Sequence, residues 1–375
     1  MNKTTYLFLI LLVVPVISST TLAQQGASAL PIPAIKFAPK NYVCYRSPEP
    51  LAIDGKLDET AWQNVQWTDE FIDIEGNAKP KPRFHTRAKM LWDDHYFYIA
   101  GEMEEPDVWA TLKKRDSIIF YDNDFEVFID PDGDTHQYYE LEVNAFSTEW
   151  DLFIVKPYRD GGPALHAWDI QGLKTATTID GTINQPGDRD RGWRIEIAIP
   201  WEILKECAPN GAPPQSNSQW RVNFSRVEWQ TEVIDGKYEK VKNAQTGKPL
   251  AEDNWVWSPQ GLVNMHYPEM WGYVQFSDQN AGDGMDQFEH KGVERAKWSL
   301  RLLYYAQQNW HASHGLFTDD ILDLKLDDQQ LSEYRWPPEI DVSWGQFEAR
   351  LAHKDGKHFW HINHEGRVWQ TEAEH

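Results

Sequence analysis

The sequence predicts an all-β protein: a β-sandwich followed by a small α+β appendage. Three observations predict it. Short runs alternate apolar and polar residues with period two, clusters of turn-forming residues separate them, and helical spacing is sustained only once, near the C-terminus. Period-two runs place one side of each strand against a core and the other away from it.

The elements follow in order. Lys3 and the apolar run Leu7 to Ile17 precede the small residues Thr21 and Ala23, the pattern of an export leader over residues 1–23 cut at about Ala23. The expected location is therefore secreted or periplasmic. The run is too short to span a bilayer, and no later stretch is long and apolar enough to do so. Residues 24–41, rich in Pro and Ala, read as a linker or surface arm. Residues 42–278 hold the sandwich. Its strands are expected at Arg83 to Trp92, His95 to Met103, Phe125 to Asp130, His136 to Ala145, Trp193 to Pro200 and Trp220 to Trp229. "DPDGD", "RDGGP", "TIDGTI" and "QPGDRDRG" supply the turns, and "DETAWQNV" and "IPWEIL" read as short helical pieces.

Strand faces can be assigned from the alternation. Phe125, Val127 and Ile129 share one face, as do Tyr139, Leu141 and Val143, and Trp193, Ile195 and Ile197. The opposite faces carry Glu126; Glu140, Glu142 and Asn144; Arg194 and Glu196; and Arg221, Asn223 and Ser225. Such a polar face is either a solvated surface or the floor of a shallow polar site. From residue 286 to 375 the character changes. "VERAKWSLRLLYYAQQNWHASHG" reads as one helix with Trp298, Leu302, Tyr305 and Trp310 along one side and Gly315 as its stop; strand-like runs follow.

Composition excludes some functions. The formal charge of −22 argues against nucleic acid, whose phosphates require a basic surface, and against anionic membranes. The chain carries 19 Trp, 15 Tyr and 16 Phe, rings that fill a β core or stack on flat apolar faces such as those of sugars. Cys44 and Cys207 admit one disulfide or two separate thiols.

The acid-rich stretch "FYDNDFEVFIDPDGD" does not have EF-hand spacing, because Gly133 falls at the wrong position. "DPDGD" reads instead as a hairpin turn, with Pro131 and Gly133 supplying its backbone angles. G-x-S-x-G, H-E-x-x-H and P-loop patterns are absent from the sequence, as is the C-x-x-C-H of a c-type haem. No haem is expected, although Met103 and a histidine leave a b-type haem as an alternative. His311, His314, His358, His361 and His364 read as packed or surface histidines rather than a zinc site.

Five segments, in order, resemble family 9 carbohydrate-binding modules: "LAIDGKLDETAWQNV", "DNDFEVFIDPDGD", "RGWRIEIAIPWEIL", "WRVNFSRVEW" and "WSPQGLVNMHYPEMWGYVQF". The resemblance covers about Tyr42 to Ser277. It implies a DOMON-like β-sandwich that binds carbohydrate without catalysis, holding a sugar between aromatic rings. It also implies structural calcium, for which Asp122 and Asp124 are the candidate ligands. The positions that match the binding residues are Phe120 or Tyr121, then Glu126, Asn144, Arg226 and Trp229, with Trp109 and Trp150 as further platforms. Tyr121 stands where the family usually has Trp. Association with glycoside hydrolases is the expected partnership, and a glycoside hydrolase or hydrolase subunit is the alternative reading.

Overall fold

The computed structural model describes residues 29–373; residues 1–23, expected from the sequence to be an export leader, lie outside them. The chain runs β1 (Asn41–Arg46), α1 (Thr60–Gln63), β2 (Ile72–Asp73), β3 (Thr86–Trp92), β4 (Tyr96–Glu104), β5 (Asp124–Asp130), β6 (Tyr138–Asn144), β7 (Glu149–Ile154), β8 (Ala164–Leu165) and β9 (Lys174–Asp180). It continues through β10 (Gly192–Pro200), α2 (Trp201–Leu204), β11 (Gln219–Glu228), β12 (Thr231–Ile234), β13 (Lys237–Lys240), β14 (Asp253–Val256) and β15 (Gly272–Asn280). The last part is α3 (Val293–His314) and β16 to β19 (Glu339–Val342, Phe347–Ala352, His358–Asn363, Val368–Glu372).

One long sheet has the order β8-β7-β6-β5-β11-β15-β1-β3-β4-β10-β9, with β14 branching from β11. It is antiparallel except where β1 lies parallel to β15 and β3. The sheet folds back on itself, so its two halves face each other as a sandwich. Phe125, Val127 and Ile129 of β5 and Phe224 of β11 meet Ile99 and Met103 of β4 and Trp193, Ile195 and Ile197 of β10 in one core. The approach is close at Gly101, where a Cβ would stand 2.9 Å from the Phe125 ring. The inward faces are those the alternation assigns. The two short helices also form where the sequence places them.

The outward face of β5 and β6 differs from a solvated surface. Every residue of both strands is buried. The cover is supplied by the 3-10 turn Ile119–Tyr121, the turn at Ile74, and the segment between β14 and β15. Trp271 packs on Phe128 at 5.4 Å and on Tyr138 at 5.2 Å. Local alternation distinguishes the two faces of a strand but does not reveal a cover, part of which, the segment between β14 and β15, comes from more than a hundred residues away.

The "DPDGD" hairpin turn is present. Asp130 accepts the backbone N–H groups of Gly133 and Thr135, and Gly133 takes the positive φ of +66° that the turn requires. Helix α3 ends at Gly315 in the left-handed conformation. Its buried apolar and aromatic residues are Ala296, Leu300, Leu303, Tyr304 and Tyr305, whereas Trp298, Leu302 and Trp310 are only partly covered. The expected stripe is shifted because one flank of α3 meets the sandwich and another the antiparallel sheet β16–β19. The arm is tied down: Phe37 stacks on Trp298 at 4.4 Å and Pro31 O accepts from Tyr267 Oη at 2.9 Å. Cys44 and Cys207 are free thiols. No helix among the described residues is long and apolar enough to cross a membrane.

Candidate functional site

The outward face of β5, β6 and β7 ends in an open cleft of about 310 Å³. Its floor follows from the strand period. Glu126 of β5 is directly opposite Glu142 of β6, and Glu142 is opposite Trp150 of β7. Glu140 and Leu152 extend the same face. Phe120 and Tyr158 form part of the wall, and Glu252, Asn254, Met265 and His266 complete it. The rings are not isolated: Phe120 and Trp150 lie 6.3 Å apart, and Trp150 stacks on His166 at 5.8 Å.

Four acidic side chains are packed together here. Asp124, Glu126, Glu140 and Glu142 are each at most 5 % exposed. Burial raises Glu126 to about 7. Burial, with the charge of Glu126, raises Glu140 to about 8. Asp124 and Glu142 move up for the same two reasons. Glu142 accepts from the Phe120 backbone N–H at 2.9 Å, and Asp124 accepts from that of Val227. One oxygen of Asp124 and one of Glu140 are buried without a partner. A buried oxygen left unpaired is costly, so the site is poised for a donor. His266 is held down to about 3 by burial, and its Nδ1 lies 2.9 Å from Tyr138 Oη.

The structure divides the sequence-derived candidates into three groups. Glu126 and Trp150 line the cleft. Tyr121, 53 % exposed, stands at its rim against Phe120, ring centroids 4.9 Å apart. Trp109 and Trp229 are buried beside the cleft, roofed by the β12–β13 hairpin, whose Lys240 Nζ lies 3.2 Å from the Trp229 ring centroid. Trp229 Nε1 donates to Phe120 O at 2.9 Å, so this ring buttresses the cleft wall from behind.

Asn144 and Arg226 hold the fold rather than a ligand. Asn144 donates to Leu112 O and Asp122, and accepts from the backbone N–H groups of Phe146 and Thr148. It locks the β6–β7 turn with its hydrogen-bonding capacity filled. Arg226 lies opposite Phe125 in the ladder and so faces the sandwich interior. It is fully buried, donating to Thr86 Oγ1, Glu105 and Glu228.

Of the two calcium candidates, Asp122 is engaged by the fold and lies outside the carboxylate group that includes Asp124. The Asp122 carboxylate accepts four hydrogen bonds, from Thr111 N, Leu112 N and Asn144 Nδ2 on Oδ2 and from Thr111 Oγ1 on Oδ1. Asp124 instead groups with Glu126 and Glu142, one oxygen of each within 4.8 Å of the others. The late histidines are engaged locally: His361 bonds Glu348 and Thr371, and His358 bonds Asp355.

Sequence reasoning placed Glu140 and Glu142 on the correct face but did not select them. The signal available was the Glu-x-Glu spacing on β6, opposite Glu126. Phe120 is one of the two aromatic candidates and lines the cleft, whereas Tyr158, Glu252 and His266 lie in connecting segments whose convergence no local pattern encodes.

Comparison with known proteins gives this arrangement a family. The sequence model of the carbohydrate family 9 binding domain-like family matches residues 53–224. An endo-1,4-beta-xylanase A of Thermoanaerobacterium saccharolyticum is 28 % identical over 153 residues, 40 % of this chain and 11 % of that protein. An exoglucanase XynX of Acetivibrio thermocellus is 27 % identical over 152 residues, 40 % of this chain and 12 % of that protein. The matches thus span about a tenth of these relatives' lengths. Among solved structures, a family 9 carbohydrate-binding module from Caldicellulosiruptor kristjanssonii in complex with glucose is 16 % identical (TM-score 0.41), covering 66 % of this chain and all of that one. A putative carbohydrate-binding protein from Bacteroides uniformis is 15 % identical (TM-score 0.46), covering 64 % and 100 %. Residues 53–224, just under half of the chain, are thus similar to the carbohydrate family 9 binding domain-like family.

Proposed function

We propose that this protein binds carbohydrate in the cleft on the outward face of β5, β6 and β7, and does so without turnover. The observation that carries the reading is the pairing of acceptor-rich carboxyls with the rings of Phe120 and Trp150 along one cleft of a family 9-like domain. Sugar hydroxyls are donors, and Glu126, Glu140 and Glu142 are acceptors on a rigid sheet. Sugar C–H faces are apolar and stack on Trp150 and Phe120. Such a site needs no chemistry beyond hydrogen bonding and stacking. Affinity in the micromolar to millimolar range, roughly 4–8 kcal/mol, suits its open shape.

The xylanase and exoglucanase names of the relatives support polysaccharide fragments as the ligand class and a role in carbohydrate catabolism alongside glycoside hydrolases. The leader-like N-terminus supports export. Calorimetric titration of the full chain with a panel of oligosaccharides tests the proposal. Binding that weakens at least tenfold on Trp150→Ala is expected. Heat-silent titrations with every glycan, together with unchanged Trp fluorescence, would remove it. A hydrolase, by contrast, would release reducing ends, and none are expected.

A further inference from the structure

Resting on that carbohydrate reading, we propose that the cleft is built for a sugar bearing a positive charge: a 2-amino-2-deoxy unit of a glucosamine-containing oligosaccharide. The charge of the lining is one-sided. Glu126, Glu140, Glu142 and Glu252 line the cleft, and among the described residues no lysine or arginine does. Its one imidazole, His266, is neutral above about pH 3. An incoming cation relieves the repulsion among these carboxyls and favours their ionised form, whereas a carboxylate adds to that repulsion, so uronic acids are disfavoured.

The basic groups nearby are engaged elsewhere. Arg159 donates to His266 O at 3.2 Å and pairs with Glu269 at 2.8 Å behind the wall. Lys240 is turned onto the Trp229 ring. Among the described residues no lysine or arginine pairs with Glu126, Glu140 or Glu142, unlike Glu105 and Glu228, which flank Arg226.

A second observation is the unpartnered oxygen of Glu140. This side chain is 5 % exposed, lines the cleft, and leaves Oε2 without a hydrogen bond. A hydroxyl supplies one donor to such a group, whereas an ammonium supplies three and adds charge. Three donors can reach Glu140 and its neighbours Glu126 and Glu142 together. The ring walls, Trp150 and Phe120, suit the C–H faces of a pyranose that carries the amine, and aromatic faces also favour a nearby cation. A bare metal ion would use the carboxylates and leave the rings without a role.

The test is titration of the full chain at about pH 7 with triglucosamine, its N-acetylated form, cellotriose, a short aliphatic diamine and calcium chloride. Triglucosamine should bind at least tenfold tighter than cellotriose or the N-acetylated trimer. That advantage should shrink as salt rises, and should be lost in Glu140→Gln, a near-isosteric change. The salt dependence on the wild type keeps the test decisive if the variant misfolds. Cellotriose binding as tightly as triglucosamine overturns this inference and leaves the carbohydrate reading in place. No binding of any glycan overturns both. A diamine as good as triglucosamine, or tight calcium binding with no preference for the amine, overturns it as well.

Discussion

Lys240 Nζ sits 3.2 Å from the ring centroid of Trp229, with Trp109 at 6.0 Å and Tyr121 at 5.7 Å. The β12–β13 hairpin thus lays one cation across three rings that a sequence reading takes as sugar platforms. Partial burial lowers this ammonium to about 8, so it is mostly charged at neutral pH and becomes neutral in mild alkali. A cation–π contact contributes about 0.5–2 kcal/mol. Lys240→Met should keep the hairpin's apolar contact and lose that amount. Lys240→Ala should in addition open Trp229 to water and shift its fluorescence emission to the red. An emission maximum unmoved in Lys240→Ala would show that the hairpin shields the ring by other contacts.

The carboxyl cluster sets a pH dependence of stability. Glu126 and Glu140 are raised to about 7 and about 8 in the folded chain, and Asp124 and Glu142 are raised as well. In the unfolded chain these groups ionise near their ordinary values, so the unfolded state binds fewer protons between about pH 4.5 and 8. Stability therefore falls as pH rises across that window. The facing groups do not reverse the sign: Glu252 is acidic, His266 is neutral there, and Lys240 loses charge as pH rises. The contribution is on the order of 1–3 kcal/mol. Thermal melts at about pH 5 and pH 8 should show a loss of several degrees, reduced in Glu140→Gln. A melting temperature that rises over this range would contradict the cluster's protonation.

Arg226 and Asn144 illustrate how far sequence carries. The pleat is strictly periodic, so Ser225 and Arg226 cannot share a face; with Phe224 inward, Arg226 follows it out of the cleft. That correction is legible in the sequence, since it needs only the alternation that also placed Glu126, Glu140 and Glu142. The role of Asn144 is not legible. Its partners Leu112 and Asp122 come from a loop that precedes the strand by more than twenty residues, and only the folded loop fills its amide. The same holds for His266 and Glu252, which the chain returns to the cleft after more than a hundred residues.

Those two assignments predict stability defects without a change of ligand contact. Arg226→Ala leaves Glu105 and Glu228 buried and unpaired, at a cost of about 3–5 kcal/mol. Asn144→Ala orphans the backbone N–H groups of Phe146 and Thr148 and removes one of the four hydrogen bonds to Asp122, at a cost of about 1–3 kcal/mol. Denaturant unfolding should show both losses. In whatever fraction remains folded, glycan affinity should stay within a few-fold of wild type. A selective loss of affinity at wild-type stability would return either residue to the binding site.

The appendage is held by a buried polar junction, and one residue tests it. Arg159, in the loop after β7, pairs with Glu269 at 2.8 Å and lies over the Tyr267 ring at 4.1 Å. Tyr305 of α3 donates its hydroxyl to the same Glu269 carboxylate. A second tie joins Arg367 to Asp134 of the "DPDGD" turn at 2.8 Å. Glu269 thus links sandwich and helix through groups that are all buried. Removing it strands a guanidinium and a phenol, which costs roughly 3–5 kcal/mol in such settings. Arg367 is half exposed, so its ion pair with Asp134 should be worth about 1 kcal/mol or less. Glu269→Ala should therefore loosen α3 from the sandwich, whereas Arg367→Ala should not. Limited proteolysis reads the difference: early cleavage between residues 315 and 335 is expected in Glu269→Ala alone. Equal protection of both variants would mean that the apolar contacts of Tyr304, Leu300 and Met270 hold the appendage without the ion pair.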